Sequence, residues 1–342
     1  FPAAMINIPY NTISVNSDSE VFMKEILIKN VTILTMDDEN SRFFGWVLLK
    51  NGKIDALGEG EPPACSEVLD GEGGVLTPGL IDIHSHLGLY EDGLGFEGAD
   101  GNDSYKPVTP ELRAIDGINP FDNCFTEARA GGVTSVVTGP GSANVIGGQF
   151  VAMKTFGRSI EDMTIKFPAA MKAAFGENPK RVFSAQKTFY TRMSIASQLR
   201  GTLLDTLEYD RSIKDAKQKG EKPPKIDHSL EAMLPVVRGE LPLKIHAHRA
   251  DDIMTALRIA KEFNLKITLD HFTEGYMIID RIKPCIDELN AGIIIGPLLH
   301  ERSKDEVHII IKKKPNFFIR FLLRFIRFIT LVKIKNSFQQ FQ

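Results

Sequence analysis

Leu76–Leu87 reads LTPGLIDIHSHL. Together with Val75 it is rich in strand formers and predicts a β-strand that ends in two histidines, His84 and His86. Residues i and i+2 of a strand share a face, so both imidazoles can grip one metal ion. In a barrel of parallel strands, the C-terminal strand ends form the active-site rim. The fold therefore turns on whether the rest of the chain supplies such strands, and on what stands at their ends.

Downstream, residues 88–119 read as a long Gly-, Asp- and Pro-containing loop. Pro120–Ala130 predicts a helix capped by Asp122 or Asn123 and stopped by Gly131-Gly132. Further strands are expected at Val133–Thr138, 149–155, 164–171, Leu243–His248, Ile267–His271 and Gly292–Gly296. Helical pattern covers 179–219, 251–263 (Ile253, Ala256, Leu257, Ala260, Phe263) and 276–290, the last with Pro284 expected to kink or break it. This alternation implies an α/β chain with a parallel sheet covered by helices, close to a TIM-type (β/α)8 barrel. A doubly wound nucleotide fold is the weaker alternative, because no GxGxxG or GxxxxGK[ST] follows the first strand. Upstream, residues 24–75 predict a small antiparallel module. Gly45–Lys50 ends at Asn51-Gly52, a strong hairpin signal, and Lys53–Leu57 returns beside it.

The strand-end histidines recur. His246 and His248 repeat the HxH spacing at the end of the fifth strand, and His271 closes the sixth. A lone strand-end histidine is more often structural, but clusters on several barrel strands point to a metal centre. His246 lies deeper and is the expected ligand. His248 is the candidate for a supporting or substrate-contacting position.

Composition excludes several classes. Over 342 residues, 43% are hydrophobic and 25% charged, as in globular chains. Cys65, Cys124 and Cys285 are widely spaced, which argues against a disulfide framework or a cysteine zinc site and fits a reducing, cytoplasmic compartment. A net charge of −3 gives no case for nucleic acid. All 44 acidic residues lie at or before Glu306, whereas Lys312–Lys335 is basic and rich in Phe and Ile.

The run LTPGLIDIHSHL, followed by GGVTSVVTGPG at 131–141, resembles the metal-dependent amidohydrolase superfamily. DGINPFDNCFTEARAGGVTSV, PGSANVIGG and KIHAHRADD look most like its imidazolonepropionase-like branch. The resemblance covers roughly 24–306. It implies one or two divalent ions, Zn²⁺ by preference, held by His84, His86, His246 and His271. A strand-four lysine carboxylated by CO₂ can bridge two ions. Lys172 is the positional match and Lys154 the weaker one. The implied chemistry is hydrolysis of a C–N bond in a cyclic amide, amide or dipeptide by attack of metal-bound hydroxide.

The family also uses a strand-eight aspartate as ligand and proton shuttle, and no such strand is legible here. Asp270 precedes His271 and is expected to face the other way. The expected organisation is a leader (1–22), a small β-sandwich module (23–75), an incomplete barrel (76–306) and a tail foreign to the family (307–342). The tail reads as an interfacial amphipathic helix or, preferably, as a shifted reading frame, so membrane contact depends on its being genuine. His300 and Arg302 are candidate substrate contacts. The loop 139–148 reads as a structural turn, and the acidic loop 91–116 as solvated. The expected partner is a small-molecule substrate, with homo-oligomerisation in the full-length family member. The alternative is a chain that binds metal without turnover.

Overall fold

β-Branched and aliphatic residues alternating along Glu25–Leu34 make the first strand, β1. Arg42–Lys50 (β2) and Lys53–Gly58 (β3) follow as an antiparallel hairpin. Asn51 and Gly52 both take positive φ (53° and 74°), as a tight two-residue turn requires. Val68–Asp70 (β4) and Val75–Leu76 (β5) then pair parallel to β1. The computed structural model describes residues 25–91 and 93–296. The leader, the tail, His300 and Arg302 lie outside those residues.

The described chain divides into two units: 25–80 with 130–133, and 81–129 with 134–296. The small unit is one mixed five-stranded sheet, with Ile28, Val31, Ile33 and Val47 at its core. The expectation of a wholly antiparallel module is thus corrected, since β4 and β5 run parallel to β1. No second sandwich layer is found among its described residues.

The stretch expected as one strand from Val75 to Leu87 is broken at Pro78-Gly79. β5 belongs to the small sheet, and Leu80–Ser85 (β6) opens the large one. Asn123–Ala130 (α1) follows, with Asp122 Oδ1 accepting from the Cys124 amide at 3.0 Å. Next come Val133–Thr138 (β7), Ile146–Lys154 (β8), the short Ile160–Met163 (α2) and Thr164–Ala174 (β9). Glu177–Ala185 (α3), Arg192–Lys219 (α4) and His228–Val237 (α5) precede Leu243–Ala247 (β10). Ala250–Glu262 (α6), Ile267–His271 (β11), Ile279–Leu289 (α7) and Gly292–Ile295 (β12) complete the series. Pro284 sits inside α7 without ending it.

The large sheet runs in chain order, β6 through β12. β9 through β12 are parallel, but β8 pairs antiparallel with both β7 and β9. The expectation of an all-parallel sheet is corrected here, and the reason is chain length. Parallel neighbours need a crossover of about a dozen residues or more, and neither 139–145 nor 155–163 supplies one.

The sheet curls almost into a barrel. In a flat sheet β6 and β11 would stand about 24 Å apart, five strand spacings. Instead His84 on β6 bonds Asp270 on β11 at 2.7 Å. The described sheet has seven strands, one fewer than a TIM barrel.

Burial follows the pleat. Met171 and Ala173 on β9, Leu243, Ile245 and Ala247 on β10, and Ile267 and Leu269 on β11 pack against the helices. They meet Ile195, Leu199 and Leu203 of α4 and Ile253, Ala256 and Leu257 of α6, whose spacing presents one apolar stripe each. The alternate residues, Lys172, Lys244, His246 and Asp270, are also buried and face the barrel interior. No helix among the described residues is long and apolar enough to cross a membrane.

Candidate metal centre

Strand geometry delivers the histidines. His84 and His86 leave the end of β6 on one face, with ring centroids 5.4 Å apart. His246 and His248 leave β10 the same way, 4.7 Å apart. His271 ends β11 and lies 4.7 Å from His84, 4.5 Å from His246 and 4.5 Å from His248. The five strand-end histidines therefore meet at one rim. One nitrogen each of His246, His248 and His271 falls within a 4.8 Å cluster, a spacing able to hold a metal ion. His248, expected in a supporting position, thus joins His246 and His271.

The role of β11 differs from the expected one. Asp270 was expected to point away from the site, yet its carboxylate reaches His84. Asp270 shares the interior face with Thr268, whose hydroxyl donates to Asp270 Oδ1 at 3.1 Å. By the pleat, it is His271 that should face the helices, as its register partner Ala247 does. But His271 adopts φ 72° and Phe272 φ 51°. The strand breaks at His271, and its ring turns back over the rim. A regular-strand rule cannot foresee this, because it assumes extended backbone to the last residue.

The rings are oriented by their Nδ1 atoms. His84 Nδ1 donates to Asp270 Oδ2, His86 Nδ1 to the Gly139 carbonyl and His271 Nδ1 to the Gly296 carbonyl, each at 2.7 Å. Carboxylate and carbonyl oxygens only accept, so these three rings carry the proton on Nδ1 and keep the Nε2 lone pair for a metal. His248 Nδ1 lies 2.8 Å from Thr273 Oγ1. His246 Nε2 lies 3.3 Å from Asn178 Nδ2 at the start of α3.

The electrostatics favour neutral imidazoles. Burial, reinforced by the Lys172 charge, pushes the His86 pKa down to about 3. Burial, then the neighbouring His248, His84 and Lys172, pushes His271 down to about 2. Burial lowers His84 too, against the pull of Asp270. Burial on its own would raise the Asp270 carboxyl, but the His84 bond and the Lys244 charge outweigh it and hold it well below the carboxylate range. At His84, His86 and His271 the donors are thus neutral imidazoles with an unprotonated Nε2, which suits zinc and other borderline divalent ions.

Lys172 is fully buried, with Nζ 5.4 Å from the Phe150 ring centroid. Its register partner is Lys244, whose Nζ lies 5.8 Å from the same ring and 3.0 Å from Asp270 Oδ2. Lys154, the weaker candidate, is exposed on β8. Sequence reasoning missed Lys244, Asn178 and Thr273. Lys244 was within reach of the same i, i+2 rule that links it to His246. Asn178 comes from a different element and left no sequence signal.

The chain is similar to several known proteins. Amidohydrolase tasK of Hapsidospora irregularis is 30% identical over 304 residues, 76% of this chain and 30% of that protein. An amidohydrolase from Thermotoga maritima of known structure is 40% identical, superposes with a TM-score of 0.76, and is matched over 83% of this chain and 73% of its own. The imidazolonepropionase of Idiomarina loihiensis is 42% identical over 66 residues, 18% of this chain and 16% of that protein. No family model matches the chain. An α/β chain with a curled sheet and histidines at its rim, similar to the Thermotoga amidohydrolase across most of both lengths, belongs to the amidohydrolases. It spans only about a third of tasK's length.

Proposed function

We propose that this chain binds one or two divalent ions, Zn²⁺ by preference, and hydrolyses a C–N bond in a small cyclic amide, amide or dipeptide. The observation that carries this is the convergence of five histidines, three of them with Nδ1 bonded to an obligate acceptor. His84, His86, His246 and His271 would hold the metal, with His248 beside them. When bound there, the metal supplies a Lewis acid and lowers the pKa of coordinated water toward neutrality.

The chain's own residues prepare the site. Phe150, fully buried, forms an apolar wall beside His84 and His86, with centroids 6.3 Å from each. Asn178 Oδ1, buried without a hydrogen-bond partner among the described residues, offers an acceptor to a substrate N–H near His246. A carboxylated Lys172 would place an anion beside Lys244, its register partner, where an ammonium places a like charge. The three free cysteines fit a cytoplasmic setting. Homo-oligomerisation is proposed for the full-length family member.

A second reading is metal binding without turnover. It is favoured by the donor cluster, which among the described residues contains no carboxylate, and by Asp270, whose oxygens are already engaged by Lys244, Thr268 and His84. Titrating the metal-free chain with Zn²⁺ and assaying a panel of cyclic amides, N-acyl amino acids and dipeptides separates the two. Bound zinc with turnover supports the hydrolase. Bound zinc without turnover on the whole panel supports the second reading. No bound zinc overturns both.

A further inference from the structure

The acceptors that tether the histidines are not equivalent. Gly139 and Gly296 offer carbonyls to His86 and His271. His84 is held by a charged side chain from a strand five positions away around the sheet. That side chain, Asp270, is fully buried and saturated. Oδ1 accepts from Thr268 Oγ1 and Lys244 Nζ, both at 3.1 Å. Oδ2 accepts from His84 Nδ1 at 2.7 Å and lies 3.0 Å from Lys244 Nζ.

Lys244 Nζ lies 3.1 Å from Oδ1 and 3.0 Å from Oδ2, and Thr268 Oγ1 donates to Oδ1. These donors pin the carboxylate in the place from which it can only accept from Nδ1. The geometry points to Asp270, charge-paired with Lys244, as the positioning residue that fixes His84 in its Nδ1–H tautomer and aims Nε2 at the metal centre. The metal-directed half of this statement rests on the metal-binding reading above. The tautomer half stands on the hydrogen bonds alone.

This assignment differs from a merely structural ion pair in what it predicts. In Asp270→Asn the side-chain amide can present its NH₂ to His84 and release the tautomer. Zinc affinity of the full chain, measured by competition with a chromophoric chelator, should fall about 10–100-fold, the range for outer partners of metal-binding histidines. In a His84→Ala background the same substitution should cost nothing further, because Asp270 acts through His84. Lys244→Met should weaken zinc in the same direction. Equal affinity of D270N and wild type, or an undiminished D270N effect without His84, would overturn the assignment.

A measurement on the unsubstituted protein removes dependence on the variants' folding. In ¹⁵N-histidine-labelled, metal-free chain, with His84 assigned by its absence from His84→Gln, the imidazole proton should sit on Nδ1. A proton on Nε2 would overturn the assignment. Failure of the wild type to bind zinc would overturn the metal reading instead, and the tautomer measurement would still decide the Asp270–His84 link.

Discussion

The imidazoles of His248 and His271 lie stacked, 14° from parallel with centroids 4.5 Å apart. Two rings from neighbouring strands meet this way because His271 adopts φ 72° and swings off the pleat. Asn tolerates that left-handed backbone and β-branched residues do not. His271→Asn should therefore keep the fold but lose bound zinc by more than the 10–100-fold typical of outer partners. His271→Val should add a backbone cost of about 1–2 kcal/mol. Metal analysis and thermal unfolding of the metal-free proteins check both.

Lys172→Ala should lower zinc content and leave a cavity beside Phe150. If a carboxylated lysine supplies the bridging anion, acetate or propionate should restore part of the zinc content by filling that cavity. Intact mass of the native chain should show one added CO₂, lost on acidification. Restoration by chloride as effective as by carboxylates would count against the bridging role.

Gly139 holds His86 through its carbonyl, and a Cβ built on it would stand 2.4 Å from the Phe150 ring. Phe150 is fully buried, so the clash has nowhere to relax. Gly139→Ala should cost about 1–3 kcal/mol and also reduce zinc affinity by moving the carbonyl. A double substitution, Gly139→Ala with Phe150→Leu, should recover part of both. Denaturant midpoints and zinc titration test this.

Away from the site, Asp210 on α4 accepts from Arg238 and Lys214. Burial opposes ionisation, but the Lys214 and Arg238 bonds prevail and hold its carboxyl below the ordinary value of 3.8. The folded form thus keeps the charge where the unfolded form would lose it. The stabilisation is present above the unfolded pKa and is lost as pH falls through the lower folded one. Asp210→Asn should cost about 1 kcal/mol at pH 7, below the range of roughly 1.5–3 kcal/mol for charged hydrogen bonds because Lys214 and Arg238 both reach solvent. The difference should shrink as pH falls below 3.8. Urea midpoints of the two proteins at neutral and acid pH measure it.

Much of this was legible in the chain. The HxH pairs at 84–86 and 246–248 declared themselves because strand period and metal geometry coincide. The α6 stripe from Ile253 to Ala260 and the Asn51-Gly52 hairpin were equally plain. What failed depended on single dihedrals or on the lengths of connections. The pleat misaims Asp270, because the positive φ falls one residue later, at His271. The apolar pattern of β8 carries no direction, while the short segments 139–145 and 155–163 do. Asn178 reaches His246 from α3, a contact no local pattern encodes.

The antiparallel setting of β8 also bears on the order in which this chain folds. β7, β8 and β9 form a meander closed by short connections, whereas each later strand waits for a helical crossover. Closing short loops costs less chain entropy, and local pairings form sooner. The meander is therefore expected to act as the nucleus onto which the parallel strands are added. Val151→Ala, in β8, should chiefly slow refolding, and Leu269→Ala, in β11, should chiefly speed unfolding, since both side chains are fully buried but only one belongs to the early structure. The same reversal of strand direction that interrupts the barrel's regularity would then give the chain its starting point.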